Sequence, residues 1–429
     1  MLVIESQSIK EAPLRRTFYL NLEALRGFAA IMVALYHCFG FSVQLNGVDQ
    51  NSSIWRYEFP GHFAVLLFFI LSGYVIGVSS KRLSWQTTGA YLKKRFLRLY
   101  PIYVLSILLT LAITHNQYPA AQVASNLAFL QRVTAGSLYE VAVNWSLNYE
   151  VLFYLLFIPI SIYAFKPAHM LVAAVAFGLF FQFVASIPLL AMYGYGFCFW
   201  LTGLWLARTP RTTSQPASLY TLVGLLLLLL CFNSLDLMHQ LLRFNLHVDY
   251  MRNPLSPNGA GADHITAIMP SDFSGLPLGV LLIAYFTDKR LPYGRFLWAY
   301  VLSVPLLFLL FLFYHSRTHP GEWSGYVLPM GFYLAALLLM AIGKLRPVTS
   351  PVLLPRFAVA LGGLSYSIYL FHLIVLLLLS RLDFFSGNSF TFALRSVVVL
   401  LGSWATSYVL EKVWQPFAVS QLKKLSLFQ

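Results

Sequence analysis

Charge is scarce in this sequence. Only 10% of its 429 residues are Asp, Glu, Lys or Arg and 59% are hydrophobic, where soluble domains carry roughly 25% and roughly 45 to 50%. A chain this poor in charge cannot clothe a soluble fold in hydrated side chains, so the composition is that of a polytopic membrane protein. Acids are scarcer than bases, 15 against 29, for a net charge of +14. In a soluble protein that excess would suggest nucleic acid; in a membrane protein its distribution along the chain matters more than its sum. Cysteine is nearly absent. Cys38, Cys198 and Cys231 lie in apolar runs without paired spacing, so neither a disulfide framework nor a zinc site is indicated, and the thiols read as buried and inert. No internal repeat, low-complexity tract or separate soluble domain interrupts residues 1–429, which read as a single transmembrane domain. The opening stretch Met1–Thr17 is polar and basic, and the apolar run after it is too long and too poorly terminated for a cleaved signal peptide. Residues 1–20 therefore read as a cytoplasmic tail ahead of an uncleaved first span.

What is present is a succession of long apolar runs. A span needs roughly 20 apolar residues. The runs are Ala24–Val43, Pro60–Ser79, Leu99–Thr114, Leu147–Phe165, Met170–Ile187, Leu189–Ala207, Leu219–Ser234, Leu276–Phe286, Phe296–Tyr314, Tyr326–Ile342, Phe357–Leu379 and Phe390–Leu410. Leu276–Phe286 is short enough to be re-entrant. The expected fold is an all-α bundle of about 10 to 12 spans. Cytoplasmic segments retain an excess of Lys and Arg. With the N-terminus inside, 22 of them fall in the inner segments, Lys81, Arg82, Lys93, Lys94, Arg95 and Arg98 among them. Six fall outside: Arg56, Arg132, Arg243, Arg252, Arg317 and Arg381. That asymmetry places both termini in the cytoplasm. Two outer stretches are long, His115–Asn144 and Leu235–Gly275, the second carrying Asp236, Asp249, Asp263 and Asp272. Each suits a cover over an outer substrate or a solvated connector.

Four constellations carry candidate chemistry. On the first span, Arg26 and His37 are eleven residues apart, about three turns, so they share a face about 16 Å apart along the axis. Ionisable groups in hydrocarbon cost a few kcal/mol each and usually line a site or pathway, and a neutral imidazole exchanges protons near physiological pH. Tyr36 points elsewhere and reads as packing. The inner segment Ser80–Pro101 holds six positive charges and no negative one. Positive-inside topology explains several of them, but Arg95 and Arg98, one turn apart, can address a single partner. Guanidinium forks suit phosphate, on a phosphorylated cytosolic ligand or on anionic lipid headgroups. Third, Glu150 in Trp145–Glu150 sits just inside the outer end of its span, at a depth that residue counting makes comparable with His37. A His–Glu pair meeting there would suit acid–base work; a structural link to Trp145 or Tyr154 is the plainer alternative. Fourth, Ser365, Tyr369 and His372 follow i, i+4, i+7 spacing and form a polar stripe, suited equally to a site and to interhelical hydrogen bonds. The Gly362–Gly363 pair and the Ser72–Gly73 step read as close helix packing.

These blocks, in this order, resemble the acyltransferase-3 family of integral membrane acyltransferases that O-acetylate bacterial surface sugars. The resemblance is carried by LRG at Leu25–Gly27 followed by YH at Tyr36–His37, FFILSGYVI at Phe68–Ile76, RFLRLYP at Arg95–Pro101, WSLNYE at Trp145–Glu150 and SYSIYLFH at Ser365–His372; the last helix, with Glu411, also fits. It implies transfer of an acyl group, usually acetyl, from cytosolic acyl-CoA to a carbohydrate hydroxyl at or across the membrane of a bacterial cell. By that resemblance His37 is the essential histidine, Arg26, Arg95 and Arg98 are the motif arginines, and Glu150 is the acidic position. The family is usually described with about ten spans, and the excess here falls between Leu219 and Ile342, where acceptor specificity is expected. No esterase-like C-terminal domain of the kind some relatives carry is expected within residues 1–429.

The expected enzyme is thus an inner-membrane O-acyltransferase with acyl-CoA as co-substrate and no permanently bound cofactor or metal. Arg95 and Arg98, helped by Lys93 and Lys94, would hold CoA phosphates, and Arg26 would guide the thioester. His37 would deprotonate the acceptor, with Glu150 orienting it or the sugar. An acyl-histidine intermediate is compatible with the same residues. The rival is a transporter or flippase of an acylated or glycosylated lipid, which would also need a polar face inside the bundle but would not consume a thioester.

Overall fold

The computed structural model describes residues 2–40, 57–115, 117–134, 136–210, 218–237, 268–287, 289, 291, 293–317, 324–345, 356–382 and 389–424, with residues 2–19, 40, 324, 325, 356 and 389 described by their backbone alone. The middle of the long outer stretch, 238–267, lies outside these residues. So do Arg56, Arg211, Arg243, Asp249, Arg252, Asp263, Arg290 and Arg346.

Among the described residues the secondary structure is helical throughout, and each of the twelve apolar runs is a helix. In chain order they are α1 (Leu2–Gly40), α2 (Gly61–Ser79), α3 (Trp85–Ile113), a short α4 (Ala120–Leu127), α5 (Trp145–Ile162), α6 (Pro167–Phe183), α7 (Pro188–Arg208), α8 (Leu219–Ser234), α9 (Leu276–Phe286), α10 (Gly294–Ser316), α11 (Ser324–Leu345), α12 (Arg356–Ser380), α13 (Ser389–Val409) and α14 (Gln415–Leu422), with a π-turn at Leu410–Trp414 joining the last two. Nine helices among the described residues are long and apolar enough to cross a membrane; Pro167–Phe183, Leu219–Ser234 and Pro270–Phe286 are apolar but shorter. This is a multi-pass membrane fold.

Two expected boundaries shift. The segment read as an inner loop, Ser80–Pro101, is mostly helix, because α3 begins at Trp85, fourteen residues ahead of its apolar run. A capping box sets that start: the Ser84 backbone N–H donates to Thr87 Oγ1 at 2.9 Å, and the two side chains meet at 3.3 Å. The basic residues are therefore fixed on a helix. The outer stretch His115–Asn144 is not a solvated connector. It folds into α4 and a 3-10 turn at Tyr139–Asn144, pinned by side chains that are fully buried. Asn126 donates to the Gln122 and Gly136 carbonyls at 2.9 Å each, Asn144 Nδ2 reaches Asn126 Oδ1 at 3.0 Å, and Gln131 Nε2 reaches the Asn144 carbonyl at 2.8 Å.

The two ends of the bundle are defined by contacts. At one, Arg82 donates to the Ile162 carbonyl at 3.0 Å, the Leu83 N–H to Ser161 Oγ at 2.9 Å, and Arg208 to the Phe165 carbonyl at 3.1 Å. Lys289, assigned to an inner loop by its charge, is buried at this end. Its ammonium closes the C-terminus of α7, donating to the carbonyls of Leu206, Ala207 and Thr209. This is the basic end. At the other, Tyr57 reaches the Leu230 carbonyl, Asn233 Nδ2 the Glu58 carbonyl, and His62 pairs with Asp272. Asp272, counted among the loop acids, is 1% exposed.

Hydrocarbon gives helices no hydrophobic reason to associate, so association depends on close packing and interhelical polar contacts. Here small residues supply the closeness. A Cβ on Gly203 of α7 would lie 1.9 Å from the Ile70 carbonyl oxygen of α2, and one on Gly73 would lie 1.9 Å from the Trp200 oxygen. Gly362 of α12 is pressed on α1 in the same way, 1.9 Å from the Glu23 oxygen, whereas its neighbour Gly363 has nothing within 4 Å. These approaches make α2–α7 and α1–α12 the tightest pairs. α10, by contrast, shows Leu306, Leu307, Leu310, Phe311 and Phe313 on an exposed face that suits lipid.

Gly203→Ala should force α2 and α7 apart and destabilise the protein by about 1–3 kcal/mol, lowering the melting midpoint of the detergent-solubilised protein. Gly363→Ala, with open space at the same kind of position, should leave that midpoint unchanged or raise it slightly, alanine being the better helix former.

Candidate active site

α1, α2, α3, α5 and α12 line a partly open cavity of about 150 Å³. The wall contains Arg26, Ser72, Arg95, Arg98, Ser146, Glu150, Tyr154, Ser365, Tyr366 and Tyr369, with Phe68, Phe69, Leu71 and Val75 between them. The structure thus brings together the three motif arginines, Glu150, and the first two members of the polar stripe. Lys93 and Lys94 do not line the cavity; Lys94 is exposed on the same helix.

Each charge in this wall is answered. Arg26 pairs with Glu23 at 3.0 Å, one turn earlier on α1. Arg98 pairs with Glu411 of the π-turn at 2.7 Å, and its guanidinium lies 5.5 Å from the Tyr366 ring centre. Arg95 lies against two rings, 5.4 Å from Tyr91 and 5.6 Å from Tyr154, with a long contact to Ser80 Oγ at 3.5 Å. Glu150 accepts hydrogen bonds from the hydroxyls of Tyr154 and of Ser72, the latter at 3.2 Å; Trp200 Nε1 in turn donates to Ser72 Oγ at 3.3 Å. Two wall atoms, Arg95 Nε and Ser365 Oγ, are buried with no hydrogen-bond partner among the described residues. Buried donors left unsatisfied are costly, and here both belong to residues that line the cavity.

His37 lies beyond the cavity, and its partner is His372. His372 Nδ1 is 2.9 Å from the Ile368 carbonyl, His372 Nε2 is 2.9 Å from His37 Nδ1, and His37 Nδ1 is also 2.9 Å from the Val33 carbonyl. A carbonyl only accepts, so with both rings neutral each Nδ1 carries the proton. His372 Nε2 then accepts from His37 Nδ1–H, and His37 Nε2 is the basic nitrogen. Tyr369, one turn from His372 on α12, stands between this pair and the cavity. Its hydroxyl meets Ser146 Oγ at 2.8 Å and donates to the Val143 carbonyl, and Phe68 packs edge-on against its ring.

The His37–Glu150 pair expected from residue counts is not formed. Gly61, at the start of α2, packs on the ring of Tyr36, whereas Glu150 bonds to Ser72, eleven residues further along α2. That is about 16 Å of helix. The count failed because α5 starts already inside the bundle, after the packed turn Tyr139–Asn144, so its first residue does not mark the membrane surface. The polar stripe resolves into both of its alternatives: Ser365 and Tyr369 face the cavity, and Tyr369 and His372 also make interhelical hydrogen bonds. Ser72 was hidden behind its glycine neighbour, since Gly73 does pack while Ser72 enters the site. Glu411 carried a signal, being the one acid in residues 389–422. The His62–Asp272 pair, at 3.1 Å with the His62 ring parallel to Trp145, joins residues too far apart in sequence to be read together. Arg395, a lone charge inside an apolar run, is 3% exposed on α13, and its Nε and Nη2 have no hydrogen-bond partner among the described residues.

Comparison with known proteins bears on the family. Residues 19–303 match the Acyl_transf_3 family, described as an acyltransferase domain. "Protein 2 in picA locus" of Rhizobium radiobacter is 36% identical over 97 residues, 22% of this chain and 44% of that protein. "Putative acetyltransferase ORF330" of the Acidianus two-tailed virus is 30% identical over 163 residues, 37% of this chain and 45% of that protein. The chain thus spans less than half the length of these two curated relatives. No solved structure matches. With the matched region covering more than half of its length and supplying the helices that carry Arg26, His37, Arg95, Arg98 and Glu150, this chain belongs to the Acyl_transf_3 family of acyltransferase domains.

Proposed function

We propose that the protein is a membrane O-acyltransferase that moves an acyl group, acetyl in the simplest case, from cytosolic acyl-CoA to a hydroxyl of a carbohydrate or glycoconjugate. The reading places the basic end of the bundle in the cytoplasm and the protein in a bacterial inner membrane, with both termini cytoplasmic. The observation that carries it is the cavity that groups Arg26, Arg95 and Arg98, with Arg95 Nε and Ser365 Oγ lacking partners among the described residues. Such a wall suits an anionic ligand, and His372, which positions the His37 imidazole, lies one turn past the wall residue Tyr369.

The size of the cavity limits what enters. About 150 Å³ is the room that holds a benzene-sized guest, far short of a nucleotide. The donor would insert one end. Arg95 and Arg98 would hold the phosphate nearest the acyl arm, Lys93 and Lys94 would face the remaining charge at the basic end, and Arg26 would guide the thioester. The acyl arm would then pass Tyr369 to reach His37. There His37 Nε2 would take the proton of the acceptor hydroxyl as its oxygen attacks the thioester carbon. The carbon–sulfur bond breaks, an ester forms, and the proton passes to the departing thiolate. His372 would keep His37 in the reactive tautomer. Glu150, set among the arginines and away from His37, would act on the donor side, limiting the net charge of the empty cavity.

Purified protein should transfer acetyl from acetyl-CoA to an acceptor glycan, and surface glycans from cells lacking the chain should lose acetyl groups by mass spectrometry. His37→Ala should lower kcat by at least about 10²; full activity in that variant would sink the assignment. Arg95→Ala should raise the KM for acetyl-CoA about ten- to hundredfold, the loss of one charge-assisted contact, with little change in the KM for acceptor. Uptake of a glycolipid without thioester consumption would instead favour a transporter.

A further inference from the structure

The last helical run extends from Phe390 to Leu422, twelve residues past the end of its apolar stretch at Leu410. A π-turn at Leu410–Trp414 interrupts it, and such turns recur at functional sites. Glu411, Trp414 and Gln415, at i, i+3 and i+4, share a face, and that face grips α3 around Arg98. Proline at position 101 has no N–H, so the Leu97 carbonyl loses its intrahelical donor; Gln415 Nε2 supplies one at 2.7 Å and also reaches the Arg98 carbonyl at 3.3 Å. Trp414 Nε1 donates to the Pro101 carbonyl at 3.1 Å. Glu411 completes the grip. One carboxylate oxygen takes Arg98 Nη1 at 2.7 Å, and the other accepts from Ser367 Oγ at 3.1 Å. Ser367 is on α12 beside Tyr366, whose ring packs on the Arg98 guanidinium and whose hydroxyl donates to the Leu99 carbonyl at 2.9 Å. Carboxylate and ring therefore fix a guanidinium that lines the cavity.

We propose that Glu411 is a positioning residue for the donor: it holds Arg98 at the cavity wall in the orientation that meets the donor's phosphate, making the C-terminal π-turn part of the donor site although it lies outside residues 19–303. The inference rests on the reading that Arg98 meets an anionic donor. A purely structural ion pair would tie α3 to the last helix and affect every substrate alike. A positioning pair acts only where phosphate is present, and only through Arg98.

The test compares acetyl-CoA with acetyl-pantetheine, a thioester donor without phosphates, using the full-length protein in detergent. Glu411→Gln should raise the KM for acetyl-CoA about ten- to hundredfold, as expected when a charge-assisted hydrogen bond is lost. It should affect KM more than kcat, and acetyl-CoA far more than acetyl-pantetheine. In an Arg98→Ala background the same substitution should add less than about twofold, because contacting residues are not additive. Glu411→Asp, which keeps the charge on a shorter arm, should recover part of the loss, and it serves as the test if the glutamine variant fails to fold. Equal losses with both donors, or additive effects with Arg98→Ala, would overturn the positioning role. If Arg98→Ala itself leaves the acetyl-CoA KM unchanged, the donor reading fails first and the role of Glu411 falls with it.

Discussion

An arginine surrounded by an apolar bundle has to be answered by a partner, and the centre of this protein is organised by that requirement. A charge within an apolar bundle is costly and needs a partner, and α1 and α3 bring three half-buried guanidinium groups to one small cavity. Glu23 answers Arg26 within α1, two tyrosine faces answer Arg95, and Glu411 comes from more than three hundred residues away to answer Arg98. Around these contacts the other polar groups of the wall fall into place: Glu150 between Ser72 and Tyr154, and Tyr366 beneath Arg98.

The close helix pairs serve that arrangement. α1 and α12 approach at Gly27 and Gly362 until backbone touches backbone, which sets Ser365, Tyr369 and His372 opposite Arg26 and His37. α2 and α7 do the same at Gly73 and Gly203, which aims Ser72 and its tryptophan partner at Glu150. Packing and chemistry are therefore one problem here. The glycines decide how near the helices come, and the distance decides which polar side chains can meet.

The outcome is a division along α12. On one side of Tyr369 lies a cavity of arginines; on the other lies a histidine pair whose hydrogen bonds fix both tautomers. In the proposed reaction these are the donor side and the proton-transfer side, separated by about the rise between Arg26 and His37 along α1.

Composition, charge distribution and apolar runs were enough to establish an all-helical membrane protein, and all twelve runs are helices, because hydrocarbon leaves a backbone few other ways to satisfy its own hydrogen bonds. Spacing was enough to place Arg26 with His37, Arg95 with Arg98, and Ser365 with Tyr369, because these relations lie within single helices and follow from 3.6 residues per turn. Relations between helices were different. That His37 meets His372 rather than Glu150, that Arg98 belongs to Glu411, and that Lys289 is a helix cap rather than a loop charge depend on where each helix starts within the bundle and how closely its neighbours approach. Capping boxes, glycine contacts and a π-turn set those depths and rotations, and hydropathy does not register them. Which helices exist and what each one carries follow from local residue order; which of those groups become partners follows from how the helices pack.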